Sequence, residues 1–371
     1  VTTEHRYLVE IARAYFRDTC EIAPPPDRID WEELKRLLLR HRLIPTLAPV
    51  LENAPFPSEV KEDLLSVNRN FRLRTALLLL ELRRLLPALE AIGARPLVLK
   101  GPALTETVYR RGARFFSDLD ILVDADLVEE SCSQLASFGY KPAESDRHTE
   151  FWERHHFHRV LYGTSAVTLE IHWDLARPRD YFGFDLKGLW NRSRLIELDS
   201  QPVRIPSDAD QLMHAAAQSL REGFGDLRRV FDAALLLDAG ADEDPGLEER
   251  ARRQSLATAV WILIRLANRI LEVRSSGRLE RALHPGSVRA ACVEGLDLET
   301  RILSVNSGRS IKPLISWLCA PEHRTTVAEI ARFLFPGRDY FLDQKYAPEE
   351  IPGAPGRVLF AARRSLSLAR L

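Results

Sequence analysis

The sequence predicts an α+β protein in which a mixed β-sheet core is flanked by an N-terminal and a C-terminal helical region. Three observations predict it. Apolar residues recur at helical spacing through about the first ninety residues, short alternating strands interleave with helices from Arg95 onward, and helical periodicity returns after Pro206. In the first region, 1–93, helices are expected over Arg6 to Arg17, over Trp31 to His41 after the Pro24-Pro25-Pro26 break, and over Ser58 to Ile92. Asp30 and Ser58 are good N-cap types, Gly93 suits a left-handed helix end, and Pro87 is expected to kink or split the third helix.

The second region, 94–205, reads as a strand at Pro96 to Leu99, a helix at Pro102 to Arg110, a strand across Ser117 to Val123 and a helix at Ala125 to Phe138. Strands at Phe157 to Tyr162 and Ala166 to Trp173 flank Gly163-Thr164-Ser165, a hairpin turn, so the sheet is expected to be mixed. The third region, 206–371, returns to helices at Asp208 to Arg221, Leu227 to Ala239, Gln254 to Val273 and Thr325 to Phe335. A chain of 371 residues is long enough for two or three folding units.

A formal charge of −1 with an apolar fraction of 45% excludes a polybasic nucleic-acid binder and a disordered acidic chain. Cys20, Cys132, Cys292 and Cys319 have no C-x-x-C spacing, so neither a zinc ribbon nor a disulfide framework is expected and a reducing cytoplasm is the simplest location. Charged Glu4, His5 and Arg6 open the chain, and the most apolar run, Ala76 to Leu80, is hemmed in by Arg72, Arg74, Glu81, Arg83 and Arg84. No signal peptide, membrane span or membrane partner is expected.

The chemistry concentrates in two strands. Alternation puts Asp118 and Asp120 on one face of the first, with Leu119 and Ile121 on the other. Two adjacent carboxylates repel unless neutralised, either by a divalent cation or by an ion pair with Arg110, Arg111 or Arg114. Glu170 and His172 share a face of the second strand, and Glu170 supplies a third carboxylate; such triads hold Mg²⁺, with Mn²⁺ as an alternative, in two-metal phosphoryl chemistry. Lys100-Gly101-Pro102 stands where a strand ends and a helix begins, a turn whose free N–H groups and lysine favour phosphate. Such turns are also common without a ligand. Arg114 has the planar donor fork to reach triphosphate oxygens.

Further residues carry both a functional and a plain structural reading. His172 positions an acceptor or is half of a buried pair with Trp173. His214 with Gln218, and Arg228 with Asp232, are spaced four apart on predicted helices and line the cleft, or, for the latter, form a surface ion pair. His148, His155, His156 and His158 invite a rival zinc site, but no cysteine or H-E-x-x-H spacing accompanies them.

Taken together, Leu99-Lys100-Gly101, Tyr109, Arg114, Ser117 to Val123, Phe138-Gly139-Tyr140, Leu169 to Trp173 and Leu227 to Asp232 resemble the nucleotidyltransferase superfamily that includes DNA polymerase β, and within it a bacterial branch of uncharacterised nucleotidyltransferase-like proteins. The resemblance covers most of the chain. It implies a nucleotidyltransferase-type mixed β-sheet core, Asp118, Asp120 and Glu170 as catalytic metal ligands, and an NTP donor held by Lys100, Gly101, Arg114 and Ser117. The usual Gly-Ser or Gly-Gly turn is here Gly101-Pro102, so a serine is absent from it and Lys100 or Arg114 takes its place. The expected activity is Mg²⁺-dependent transfer of an NMP to a hydroxyl of a small molecule, peptide or protein in a biosynthetic or tailoring pathway. Transfer of a phosphoryl group or a sugar from a nucleotide-sugar, and a nucleotide-binding docking protein with little turnover, are the alternatives.

Overall fold

The computed structural model describes residues 2–17, 21–109, 112–142, 157–163, 167–176, 183–198, 200–273, 277–303 and 311–320. Its architecture is the predicted α+β arrangement. Helices α1 (Thr3–Phe16), α2 (Trp31–Arg40), α3 (Ile44–Asn53) and α4 (Ser58–Glu90) come first. Strand β1 (Leu97–Val98), helix α5 (Lys100–Thr105), strand β2 (Asp118–Leu122), helix α6 (Val128–Ala136) and strands β3 (Lys141–Pro142), β4 (His158–Tyr162) and β5 (Thr168–His172) follow. Helix α7 (Leu186–Arg192) leads to a separate hairpin, β6 (Arg194–Leu198) and β7 (Gln201–Ile205). Helices α8 (Asp208–Glu222), α9 (Leu227–Asp238), α10 (Leu247–Arg253), α11 (Ala257–Leu271), α12 (Arg278–Ala282), α13 (Ser287–Glu294), α14 (Leu298–Leu303) and α15 (Lys312–Cys319) complete the described chain.

The main sheet has the order β1-β2-β5-β4-β3. It is mixed, because β2 and β5 run parallel while β1 pairs β2, and β4 pairs both β5 and β3, antiparallel. In the central register Asp120 lies opposite Glu170 and Leu122 opposite His172, while His158 on β4 lies opposite His172 from the other side. One face of the sheet therefore gathers polar side chains. Leu119, Ile121, Leu169 and Ile171 alternate onto the other face and are fully buried.

Local signals set most helix ends. Asp30 caps α2 by accepting the Glu33 N–H at 3.0 Å, and Gly93 takes φ +80° after α4. Ser58 is the first helical residue, and Pro57 holds the cap position assigned to it by pattern. Pro87 does not split α4 into separate elements: it falls within the last turn of a continuous 33-residue helix. Helix α3 escapes the sequence pattern because it carries two prolines, one in its first turn where the missing N–H costs nothing. The helix expected at Thr325 to Phe335 lies outside the described residues.

At about 1.5 Å per residue, α4 spans about 50 Å and links two cores. Leu64 near its start packs with α1 to α3 and with the C-terminal helices, which share one apolar cluster. Leu82, Leu85, Leu86 and Leu89 near its end pack beneath the sheet with Leu119, Ile121 and Ile171, each contributing on the order of 1.5–3 kcal/mol through burial. The sheet is tied to the C-terminal helices by a buried polar joint. Arg114 donates to both carboxylate oxygens of Asp232 on α9, at 2.7 and 2.8 Å, and the Tyr109 hydroxyl donates to the same group at 2.8 Å.

Burial alone would raise the Asp232 carboxyl, but the Arg114 guanidinium, with Arg229 and Arg228 behind it, holds it below the usual carboxylate range. A depressed folded-state pKa stabilises the fold above the unfolded value of about 3.9 and loses that contribution as pH falls further. Asp232→Ala is expected to cost about 3–5 kcal/mol at neutral pH, because it strands the buried Arg114 charge, and to show a smaller penalty below about pH 4. Urea unfolding at the two pH values measures both.

Candidate functional site

The site stands on the polar face of β2 and β5. Asp120 is 2% exposed, yet it meets two partners: Lys100 Nζ, in a direct ion pair, and His172 Nε2 at 2.9 Å. Lys100 Nζ also lies 3.7 Å from Glu170 Oε2, and His172 Nε2 lies 3.2 Å from the same oxygen. Thus one ammonium and one imidazole sit against two carboxylates held opposite each other by the parallel register.

Asp118, two residues earlier on the same face, is different. Burial, then the charges of Asp120 and Glu170, raise its carboxyl above the usual range despite Lys100 and Arg228. For Asp120 burial acts in the same direction, but the Lys100 ammonium and the His172 hydrogen bond win and hold it well below. Two carboxylates of the same strand face are thus shifted in opposite directions, according to which of them Lys100 and His172 contact.

Lys100 reaches this position through its backbone. It has φ +52°, in the left-handed region where a side chain costs energy, at the start of α5. The adjoining glycine has a packing role: a Cβ on Gly101 would meet Phe116 Cβ and Cγ at 2.5 Å. Without that Cβ the turn seats directly on the residue that leads into Ser117 and Asp118.

A cleft of about 440 Å³ opens over these groups, lined by Lys100, Gly101, Ser117, Asp118, Asp120, His158 and Glu170 on the sheet side. The opposite wall carries five arginines along with Glu222 and Asp226, which pair with Arg229 and Arg228. Arg40 and Arg42 come from the α2–α3 junction, Arg221 from the end of α8, and Arg228 and Arg229 from the start of α9. The Arg42 guanidinium lies 5.9 Å over the Phe115 ring and that of Arg221 5.3 Å over Phe157. Arg40, Arg42 and Arg221 carry no local motif; only the packing of helices far apart in sequence assembles them.

The remaining sequence candidates are placed as follows. His172 is fully buried on the site face. His214 and Gln218 are buried side by side on α8, their Nε2 atoms 3.1 Å apart, and both line a small cavity next to Lys100. Burial, with the nearby Lys100 charge, pushes the His214 imidazole well below its usual range. The pairing of Arg228 with Asp232 expected from helical spacing is not what forms: Arg228 donates to Asp226 at 3.2 Å and to the Phe115 carbonyl at 3.4 Å, while Asp232 takes Arg114. Arg114 borders the cleft, but its Nε and one Nη are spent on the buried Asp232 carboxylate. His148, His155 and His156 lie outside the described residues, whereas His158 lines the cleft, where burial, followed by the charges of His172 and Lys100, pushes its imidazole down to about 2.

An acid whose folded-state pKa is raised destabilises the fold at neutral pH. Asp118→Asn is therefore expected to raise the melting temperature of the metal-free protein by a few degrees, read by differential scanning calorimetry. Gly101→Ala, by contrast, is expected to lower stability by about 1–3 kcal/mol through overlap with Phe116.

Residues 27–272 match the model of a protein family described as uncharacterised nucleotidyltransferase. Among solved structures, a crystal structure of an antigenic nucleotidyltransferase-like protein from Paracoccidioides brasiliensis is similar at 12% identity over 57% of this chain and 96% of that one, with a TM-score of 0.34. No curated protein matches the chain. The matched span takes in both acidic strands, the lysine turn and all five arginines of the facing wall, and the chain belongs to this family of uncharacterised nucleotidyltransferases.

Proposed function

We propose that the protein is a divalent-metal-dependent nucleotidyltransferase that moves an NMP from an NTP to a hydroxyl of a small molecule, peptide or protein. The observation that carries this reading is the cleft itself, with three carboxylates on its floor and, on its wall, five arginines, of which Arg228 and Arg229 pair with Asp226 and Glu222. A triphosphate is the ligand that needs both. Its oxygens suit guanidinium forks, and its metal suits hard carboxylate oxygens.

The donor set fits such an ion. Asp118, Asp120 and Glu170 offer oxygens from two adjacent strands, and burial together with the neighbouring carboxylates raises the Asp118 carboxyl. Mg²⁺, or Mn²⁺, held by these three residues would supply Lewis-acid stabilisation of charge on the phosphoryl oxygens. The protein's own groups do the rest. Arg42, Arg221 and Arg228 bind the triphosphate from the wall, and Ser117 hydrogen-bonds a phosphate oxygen from the floor. Lys100, released from Asp120, follows the β- and γ-phosphates as a mobile charge. Arg114, at the edge of the cleft, acts by fixing α9 and hence Arg228 and Arg229.

In the transfer, the acceptor oxygen forms a bond to the α-phosphorus while the bond from that phosphorus to the pyrophosphate oxygen breaks. Glu170, at the cleft surface, takes the acceptor proton, and His172 holds Glu170 in place from beneath. His214 and Gln218 border the space beside Lys100 and position the acceptor or the displaced lysine. A neutral overall charge and the confined cleft favour a small or peptide acceptor over nucleic acid.

Isothermal titration calorimetry with a panel of NTPs, with and without Mg²⁺, tests this reading. Metal-dependent binding is expected for the wild type and should be lost in Asp118→Asn/Asp120→Asn, while Arg42→Ala should weaken it by about tenfold, the loss of one charge-assisted contact. Binding of no NTP, or equal binding by the double variant, would refute the reading.

A further inference from the structure

We propose a second cation site in the same cleft, formed by His158, Glu170 and His172, that takes a divalent transition metal of the Zn²⁺ type. The inference goes beyond the transferase reading, which uses only carboxylates as metal ligands. Sheet register creates the cluster. His158 on β4 lies directly opposite His172 on β5, and Glu170 precedes His172 by two residues on the same face. The two imidazole rings face each other with centroids 4.9 Å apart and planes 31° from parallel.

Their Nε2 atoms converge on one oxygen. His172 Nε2 lies 3.2 Å and His158 Nε2 3.8 Å from Glu170 Oε2, and one ligand atom from each residue falls within 4.8 Å of the others. For bonds of about 2.0–2.1 Å, a tetrahedral metal separates its ligands by roughly 3.3–3.4 Å, so the two measured edges bracket the required value. At 3.8 Å the His158 nitrogen is too far from Glu170 for a hydrogen bond, so its ring is aimed at the oxygen without being bonded to it.

Ligand chemistry sets the class of ion. Two imidazoles with one carboxylate suit Zn²⁺ and its neighbours, whereas Mg²⁺ prefers oxygen throughout. His158 and Glu170 keep 15% and 19% side-chain exposure toward the cleft, which leaves an open side for water or substrate, as in catalytic rather than structural zinc sites. Neither Nδ1 finds a hydrogen-bond partner among the described residues, so the rings are not held as metal ligands usually are and the ion should exchange readily.

Co²⁺ serves as the spectroscopic probe for Zn²⁺. The full chain, freed of metal by chelation, is titrated with Co²⁺ in a large excess of Mg²⁺ and followed by visible absorption. One equivalent is expected to bind with the intense d–d bands of a low-coordinate, nitrogen-liganded ion. His158→Gln should lose at least about tenfold in affinity. His158→Cys should retain binding and add a thiolate charge-transfer band, a response that a merely structural histidine would not give. Weak, octahedral-type bands displaced by Mg²⁺, or unchanged affinity in folded His158→Gln, would overturn the proposal. Should the variants not fold, the wild-type spectrum and its Mg²⁺ competition decide alone. Mg²⁺-dependent NTP binding by the wild type, measured without Co²⁺, is read separately, so failure of the transferase reading leaves the Co²⁺ result standing.

Discussion

Negative charge concentrated on one face of β2 and β5 is the constraint around which the rest of this molecule is arranged. Parallel pairing forces Asp120 opposite Glu170, and strand alternation adds Asp118 to the same face. Nothing about a sheet requires this, and burial makes it costly. The fold answers with Lys100, held in a left-handed backbone conformation so that its ammonium meets Asp120, and with His172 below. At Asp118 burial, followed by the charges of Asp120 and Glu170, still raises the carboxyl, because Lys100 is engaged with Asp120.

Around this floor the helices act as a frame. The α2–α3 junction, the end of α8 and the start of α9 bring arginines from about 190 residues of sequence to one wall. They are fixed by a layer of buried polar contacts: Arg114 with Tyr109 and Asp232, and His41 Nδ1 accepting the Leu227 N–H at 3.1 Å. The second of these ties the N-terminal helices to α9 directly. Since the helices at both ends of the chain share one apolar core, the floor and wall of the cleft are positioned by packing that spans the described chain.

The parts legible in sequence are those with short-range causes. Period-two alternation located both acidic strands and correctly put Glu170 and His172 on one face, while helical periodicity found α1, α2, α4, α8, α9 and α11. The β6–β7 hairpin and α3 were not legible: the hairpin's outward residues Arg194, Leu195 and Glu197 show no clean alternation, and prolines obscure α3. The sequence pointed to Gly101 as part of a phosphate turn, but its packing role was not legible, because the missing Cβ is required by Phe116, a contact 15 residues away. Arg42 and Arg221 carried no signal at all, because an arginine at a helix end looks alike whether it faces solvent or a cleft. Asp232 was found through its four-residue spacing from Arg228, but its partner came from 118 positions earlier instead of from the adjacent turn.

The central claim is that Lys100 stands in for a metal ion and yields its place when nucleotide arrives. Crystals grown with Mn²⁺ and a non-hydrolysable NTP analogue, measured at a wavelength where manganese scatters anomalously, test it most directly. The account predicts an anomalous peak within bonding distance of Asp118 and Asp120, with the Lys100 ammonium withdrawn from Asp120 toward the phosphates. Nucleotide bound elsewhere, or no manganese at these carboxylates with Lys100 still paired to Asp120, would contradict it.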